Sequence, residues 1–369
     1  MDFKRLMRPH LKKVKPYIPG KPVEELRRER KIEGEIIKLA SNENPRPPLD
    51  PIARAIIEEI GNLNRYPNSG SHYLTLDLSR KHDMPHGGIF VGNGSNEIIE
   101  LLVRAFVGPS DNVVMPFPSF IAYPLIVHQA GVGEVRVPLR DYRLDMEAMS
   151  LAVDQKTRMI FVCNPNNPTA TYVSGREIEL FLSNVRNDVI VVFDEAYYEY
   201  VTAEDYPDTI SMIRSRPNVV VLRTFSKAYS LSGVRVGYAV ADEDLVTILH
   251  KVRQPFNVNR IAQAAARAAL TCEDGLADSI DENNRERERI SSAMRRMGFT
   301  VPESQTNFLL AVPFESHGDI VDRLMDMGII VRGMAPFGLG EESFRVSIGT
   351  PEENERFLEG LKKVTGGGR

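Results

Sequence analysis

Short apolar, β-rich runs alternate with helix-patterned stretches along the first two-thirds of this chain, and several of the runs end directly at a polar motif. The runs at 89–91, 112–115, 159–163, 189–193, 219–222 and 236–240 are short and evenly apolar, and they read as buried strands. The stretches 96–106 and 175–184 between them carry helical spacing. This alternation predicts an α/β domain with a mostly parallel sheet, because each parallel return needs a crossover that a helix supplies. In such sheets ligands gather beyond the carboxyl ends of the strands, so the polar motifs there are the candidate functional residues. The pattern changes near Asn257, where a long helix-prone stretch begins, and strand-like runs return at 307–311 and 344–348. A second, smaller α+β domain is expected.

Composition narrows the choice of partner. The 369 residues are 42% hydrophobic and 26% charged, an ordinary globular balance with room for a large and a smaller domain. A net charge of −4 offers no basic excess for nucleic acid or a membrane surface, so a small-molecule ligand is expected. Cys163 and Cys272 lie far apart without CxxC spacing, which suits a reducing, cytoplasmic compartment and predicts no disulfide or thiolate metal site. The N-terminal stretch lacks a signal peptide's apolar core, and no run approaches the roughly 18 apolar residues of a membrane span. A soluble, unprocessed protein is expected. His82 and His86 are separated by Pro85, which breaks a shared helical face, so no metal site is expected.

The strand-end motifs carry the chemistry. Lys227 lies in RTFSKAYSLSGVRVGY (223–238). A lysine amine forms a Schiff base with an aldehyde, and the hydroxyls of Thr224 and Ser226 with the guanidinium of Arg235 suit a phosphate. The combination points to pyridoxal phosphate, although a solvated loop lysine beside an ion-pairing arginine fits this stretch alone equally well. GNGSNE (92–97) follows a strand and opens a helix, so Gly94, Ser95 and Asn96 can face a phosphate at a helix N-terminus; a plain helix cap is the alternative. Glu97 stands where a dinucleotide fingerprint needs a glycine. In PFPSFIAYP (116–124), Phe120 and Tyr123 can stack on a flat ring, with core packing the commoner fate of such residues. The prolines of CNPNNPTA (163–170) stiffen a turn that presents Asn164, Asn166 and Asn167. An asparagine held there can donate to a phenolate oxygen, or the stretch is simply a polar turn. In FDEAYYEY (193–200), Asp194 follows an apolar run and needs an electrostatic partner, which a pyridinium nitrogen supplies and a structural ion pair also would. Tyr197 can reach the phenolate oxygen of the same ring.

Together with YIPGKP at Tyr17, SNENP at Ser41, RYPNSGS at Arg65, QPFNVN at Gln254 and FRVSIGTPEENERFLEGL at Phe344, these motifs span nearly the whole chain. On them the chain resembles the fold-type I pyridoxal-phosphate-dependent aminotransferases, and within these the histidinol-phosphate aminotransferase family. The resemblance implies a seven-stranded large-domain sheet, an N-terminal arm at 1–30, a large domain at 31–258 and a small domain at 259–369, with 31–44 able to pack on the small domain. It implies Lys227 as the cofactor-bonded lysine that then moves the proton, and Asp194 on the pyridine nitrogen. Tyr197 and Asn167 would hold the phenolate oxygen, Phe120 would stack on the ring, and Ser95, Asn96, Ser226 and Arg235 would hold the phosphate. Tyr66 would reach the phosphate of the opposite subunit, which implies a homodimer crossed by the N-terminal segment. Tyr17 and Asn42 would face the substrate, Arg332 and Arg345 would take its anion, and Tyr123 and Phe256 would shape the imidazole pocket. The implied reaction passes the amino group of L-histidinol phosphate to 2-oxoglutarate, giving imidazole-acetol phosphate and glutamate in histidine biosynthesis. Aromatic amino-acid aminotransferases, threonine-phosphate decarboxylases and effector-binding regulator domains share this scaffold. The regulators add a DNA-binding region, and the 40 residues before Ser41 show no helix-turn-helix pattern. Arg46-Pro47 and Gly333 depart from the family's usual Gly and Pro.

Overall fold

The computed structural model describes residues 1–17 and 20–366, so Ile18 and Pro19 of the Tyr17 motif and the last three residues of the expected small domain lie outside the described residues. Its strands in chain order begin with β1 (Ile37–Lys38), β2 (Ile89–Gly92), β3 (Asn112–Phe117), β4 (Gly133–Pro138) and β5 (Thr157–Cys163). They continue with β6 (Ile190–Asp194), β7 (Val219–Thr224), β8 (Gly237–Val240), β9 (Phe299–Thr300) and β10 (Phe308–Pro313), and end with β11 (Ile329–Ile330), β12 (Arg332–Gly333) and β13 (Phe344–Ser347).

Among the described residues, β2 to β8 form a seven-stranded sheet in the order β2-β8-β7-β6-β5-β3-β4. Only β8 runs against its neighbours β7 and β2, so the mostly parallel sheet expected from the alternation is present. Its central strands carry the apolar runs 159–163, 190–193 and 219–222 because both faces there are covered. Val114, Ile160, Val162, Val191, Phe193 and Val221 point into one core, while Val113, Met115, Phe161, Val192, Val220 and Leu222 point into the other, following the two-residue period of a strand. The run 133–138 was not among the sequence-predicted strands. It lies at the sheet edge, and only Val137 in it is buried, so it carries no continuous apolar signal.

The smaller sheet is antiparallel, in the order β12-β13-β10-β9. Helices Glu273–Arg296, Ile320–Asp326 and Pro351–Val364 contribute Ile290, Met294, Leu324, Phe357 and Leu361 to its core. β1 pairs in parallel with β11, which ties the segment before Ser41 to this unit. Helix Arg260–Ala269 buries Ala262, Ala265, Ala266 and Ala269 in the large-sheet core, packed against helix Asp50–Ile60. The expected boundary at 258 falls just before that helix. No helix among the described residues is long and apolar enough to cross a membrane.

Candidate active site

Asp194, Thr224 and Cys163 end adjacent strands β6, β7 and β5, and the loops beyond them wall a cleft of about 200 Å³. Lys227 lies in the loop after β7 and lines this cleft, with Nζ donating to the Ser41 carbonyl at 3.3 Å. Burial, and next the charge of Arg345, draw the pKa of Lys227 from 10.5 down to about 8. An amine so placed loses its proton readily and is a usable nucleophile near neutral pH.

Asp194 is buried at the cleft wall, where Oδ2 accepts a hydrogen bond from the Tyr123 hydroxyl at 2.8 Å. Its Oδ1 is also buried and has no partner among the described residues. Burial pushes the carboxyl up to about 6, opposed by the Tyr123 hydrogen bond, the Ala196 backbone N–H and the charge of Lys227. An unpaired buried acceptor is costly, and a protonated ring nitrogen is the kind of donor that satisfies it.

A second part of the cleft gathers groups that suit an anion. Ser95 and Asn96 begin helix Ser95–Phe106, whose N-terminal N–H groups and dipole favour negative charge. Gly94 has φ 79°, and a Cβ there would collide with the guanidinium of Arg235. Arg235 donates to Ser226 Oγ at 3.3 Å and to the Ser232 carbonyl at 3.1 Å. Thr224 Oγ1 accepts from the Ser226 backbone N–H at 3.1 Å and thereby shapes the loop. Glu97 accepts from Asn257 Nδ2 at 2.8 Å, so the residue that breaks the dinucleotide fingerprint serves as a local brace.

The remaining wall is aromatic and cationic. Phe120 lines the cleft, and Tyr197, also lining it, accepts from Asn42 Nδ2 at 2.9 Å. Asn42 is locked at φ 54°, its backbone N–H donating to Ser347 Oγ at 2.8 Å. Asn167 Oδ1 accepts from Arg345 Nη1, which orients the side-chain amide of this asparagine at the cleft. Arg345 Nη2 donates to the Ala40 carbonyl at 2.8 Å, and burial draws this guanidinium down to about 10. Arg332 faces Arg345 in the β12–β13 register, so two like charges lie on neighbouring strands at the same cleft. Two guanidinium groups placed this way suit the binding of an anion. Tyr17 completes this wall.

Tyr123, Tyr66 and Phe256 do not line this cleft, as expected of Tyr66, which the resemblance assigns to the opposite subunit's site. Tyr123 is fully buried beneath the cleft and does not line it. Tyr66 and Phe256 are 77% and 39% exposed and stack on each other, centroids 4.4 Å apart, outside this chain's own cleft. The motifs did not reveal the carbonyls of Ala40 and Ser41 as partners of Arg345 and Lys227, because a backbone oxygen leaves no mark on residue type. Phe337 was also missed; its ring lies 5.8 Å from the Arg332 guanidinium carbon.

The sequence model for aminotransferases of class I and II matches residues 34–361. The chain belongs to that family. This aminotransferase is 41% identical to a histidinol-phosphate aminotransferase 2 of Carboxydothermus hydrogenoformans, over 97% of this chain and 99% of the relative. A histidinol-phosphate aminotransferase 2 of Pseudomonas aeruginosa is likewise 41% identical, over 98% of both chains. Among solved structures, the histidinol-phosphate aminotransferase of Sinorhizobium meliloti, in complex with pyridoxal-5'-phosphate, superposes with a TM-score of 0.89 at 27% identity and 98% coverage of both chains. The amine, the orphaned acceptor and the anion cradle of this aminotransferase fit a flat, phosphorylated aldehyde.

Proposed function

We propose that this aminotransferase uses pyridoxal 5'-phosphate to pass the amino group of L-histidinol phosphate to 2-oxoglutarate, in the cytoplasm and as a step of histidine biosynthesis. One observation carries the reading: a single cleft is lined by Lys227, by Ser95, Asn96, Ser226 and Arg235, and by Arg332 and Arg345, two groups of side chains suited to anions. The first suits a cofactor phosphate. The second suits the phosphate of histidinol phosphate in one half-reaction and the carboxylates of glutamate in the other, since a guanidinium accepts either anion.

When bound, the cofactor supplies an aldehyde for amine exchange and an electron-withdrawing ring that stabilises charge at the amine-bearing carbon. Lys227 Nζ takes the proton from that carbon and holds it for return, a task suited to its lowered pKa. The Asp194 carboxylate would keep the ring nitrogen protonated. Tyr197 and the Asn167 amide would hold the ring oxygen, and Phe120 would cover the ring face. Arg332 and Arg345 fix the substrate's anion, with Tyr17 and Asn42 beside it.

The active unit we infer is a homodimer. Ile57, Ile60, Leu63, Tyr66 and Tyr73 are all more than half exposed on neighbouring elements, an apolar surface of the kind a second copy covers. Tyr66 would then serve the partner's cofactor phosphate.

The test is a side-by-side assay. The purified enzyme should give a higher kcat/KM with histidinol phosphate than with phenylalanine or tyrosine. The opposite order makes it an aromatic amino-acid aminotransferase. Lys227→Ala should lose the visible absorption of lysine-bound cofactor, and its retention would remove the central claim.

A further inference from the structure

Tyr123 belongs to helix Ala122–Ala130, beneath the cleft floor, and not to the substrate pocket. Its ring stacks on Phe161 of β5, centroids 4.5 Å apart and planes within 5°, and meets Phe120 edge-on at 5.5 Å. These two ring contacts fix where the hydroxyl lies, and it donates to Asp194 Oδ2 at 2.8 Å. With Oδ2 engaged, Oδ1 is the carboxylate oxygen left for a ligand, and it is the one without a partner among the described residues.

We propose that Tyr123 is a positioning residue, whose hydrogen bond fixes the rotation of the Asp194 carboxylate so that Oδ1 meets the ring nitrogen of the cofactor. The inference rests on the reading of Asp194 as the partner of that nitrogen. The groups that face Asp194 are Tyr123 from its helix, Cys163 from β5, Tyr197 from the following turn and Lys227 from the loop after β7. The Cys163 thiol is pushed up to about 12 by burial and stays neutral. The Tyr123 and Tyr197 hydroxyls are raised by burial and keep their protons. Lys227 is committed to chemistry during turnover, so Tyr123 is the constant hydrogen-bond donor among these side chains. It opposes the burial that drives Asp194 toward its neutral form. An outer partner of this kind both orients a ligating group and sets its basicity.

Tyr123→Phe separates the hydroxyl from the ring, because the stack on Phe161 is retained. The variant should fold, with a holoenzyme thermal midpoint that falls only modestly, as a lost hydrogen bond and weaker cofactor binding require. Loss of a hydrogen bond to a charged group predicts a fall in kcat of about tenfold with KM for histidinol phosphate little changed. Pyridoxal phosphate titrated into the apoenzyme should bind more weakly. The pH below which that affinity is lost should move up by roughly one unit, because Asp194 without its donor protonates sooner. Wild-type kcat, cofactor affinity and acid limb in Tyr123→Phe would overturn the proposal. Asp194→Asn is measured in parallel. If it loses cofactor affinity and turnover while Tyr123→Phe is silent, only the role of Tyr123 falls; if it too is silent, the reading of Asp194 falls with it.

Discussion

Lys227 and Arg345 hold consecutive carbonyls of one segment: Lys227 Nζ donates to Ser41 at 3.3 Å, and Arg345 Nη2 donates to Ala40 at 2.8 Å. One residue comes from the large sheet's loops and the other from β13 of the small sheet, so the segment after β1 lies between the amine and the anion receptor. The two cations are thereby held close enough that Arg345 depresses the pKa of Lys227.

That depression has a consequence for stability. Between about 8 and the ordinary 10.5, the unfolded chain still binds a proton that folded Lys227 has released, so this group makes stability rise with pH across the window. Below that window the buried ammonium is a full penalty. In the cofactor-free protein, Lys227→Met should therefore be the more stable form near neutral pH, and its advantage should shrink as pH climbs toward 10.5. Urea midpoints at neutral and alkaline pH measure the gap; one that widens with pH contradicts the assignment.

Arg345→Gln removes a guanidinium that contacts the expected substrate anion and orients Asn167. Both half-reactions should suffer, with kcat/KM for histidinol phosphate and for glutamate each falling by roughly 100-fold or more, the scale of a lost buried charge-assisted pair. Single-turnover kinetics from each side provide the comparison. Loss confined to one substrate would show that the two anions use different receptors.

Gly94→Ala tests the anion cradle. The new Cβ would press on Arg235, and the φ of 79° is itself unfavourable for alanine. Strain of about 1–3 kcal/mol should lower the urea midpoint, and displacement of Arg235 should weaken cofactor binding, measured by equilibrium dialysis of pyridoxal phosphate. Unchanged affinity would place the phosphate elsewhere.

Away from the cleft, Arg223 pairs with Glu195 at 2.9 Å, their side chains 6% and 0% exposed. Glu195 also accepts from Thr209 Oγ1. Arg223→Met leaves a buried carboxylate without its cation, which should cost about 3–5 kcal/mol of unfolding free energy. Urea unfolding at neutral pH reads this directly, and a cost below about 1 kcal/mol would mean that Glu195 is taken up neutral.

The large sheet and the ends of its strands were legible in the chain itself, because strands covered on both faces must be apolar throughout and the loops that follow must be polar where they meet a ligand. Lys227, Asp194, Asn167 and the Gly94–Ser95 turn could be named as candidates from residue type and position after a strand, and the fold brings Lys227, Asp194, Asn167 and Ser95 to one cleft. Strand β4 escaped, since an edge strand half in water needs no apolar run. Tertiary structure alone decided which neighbours those residues have. It turned Tyr123 from a ring-pocket candidate into a donor beneath Asp194, since a tyrosine at a strand end can face either the cleft or the core. It set Arg332 opposite Arg345 through the β12–β13 register, and it brought both Lys227 and Arg345 to backbone oxygens. A hydrogen bond to a main-chain carbonyl depends on where the chain passes and not on which side chain it carries, so only the folded molecule reveals it.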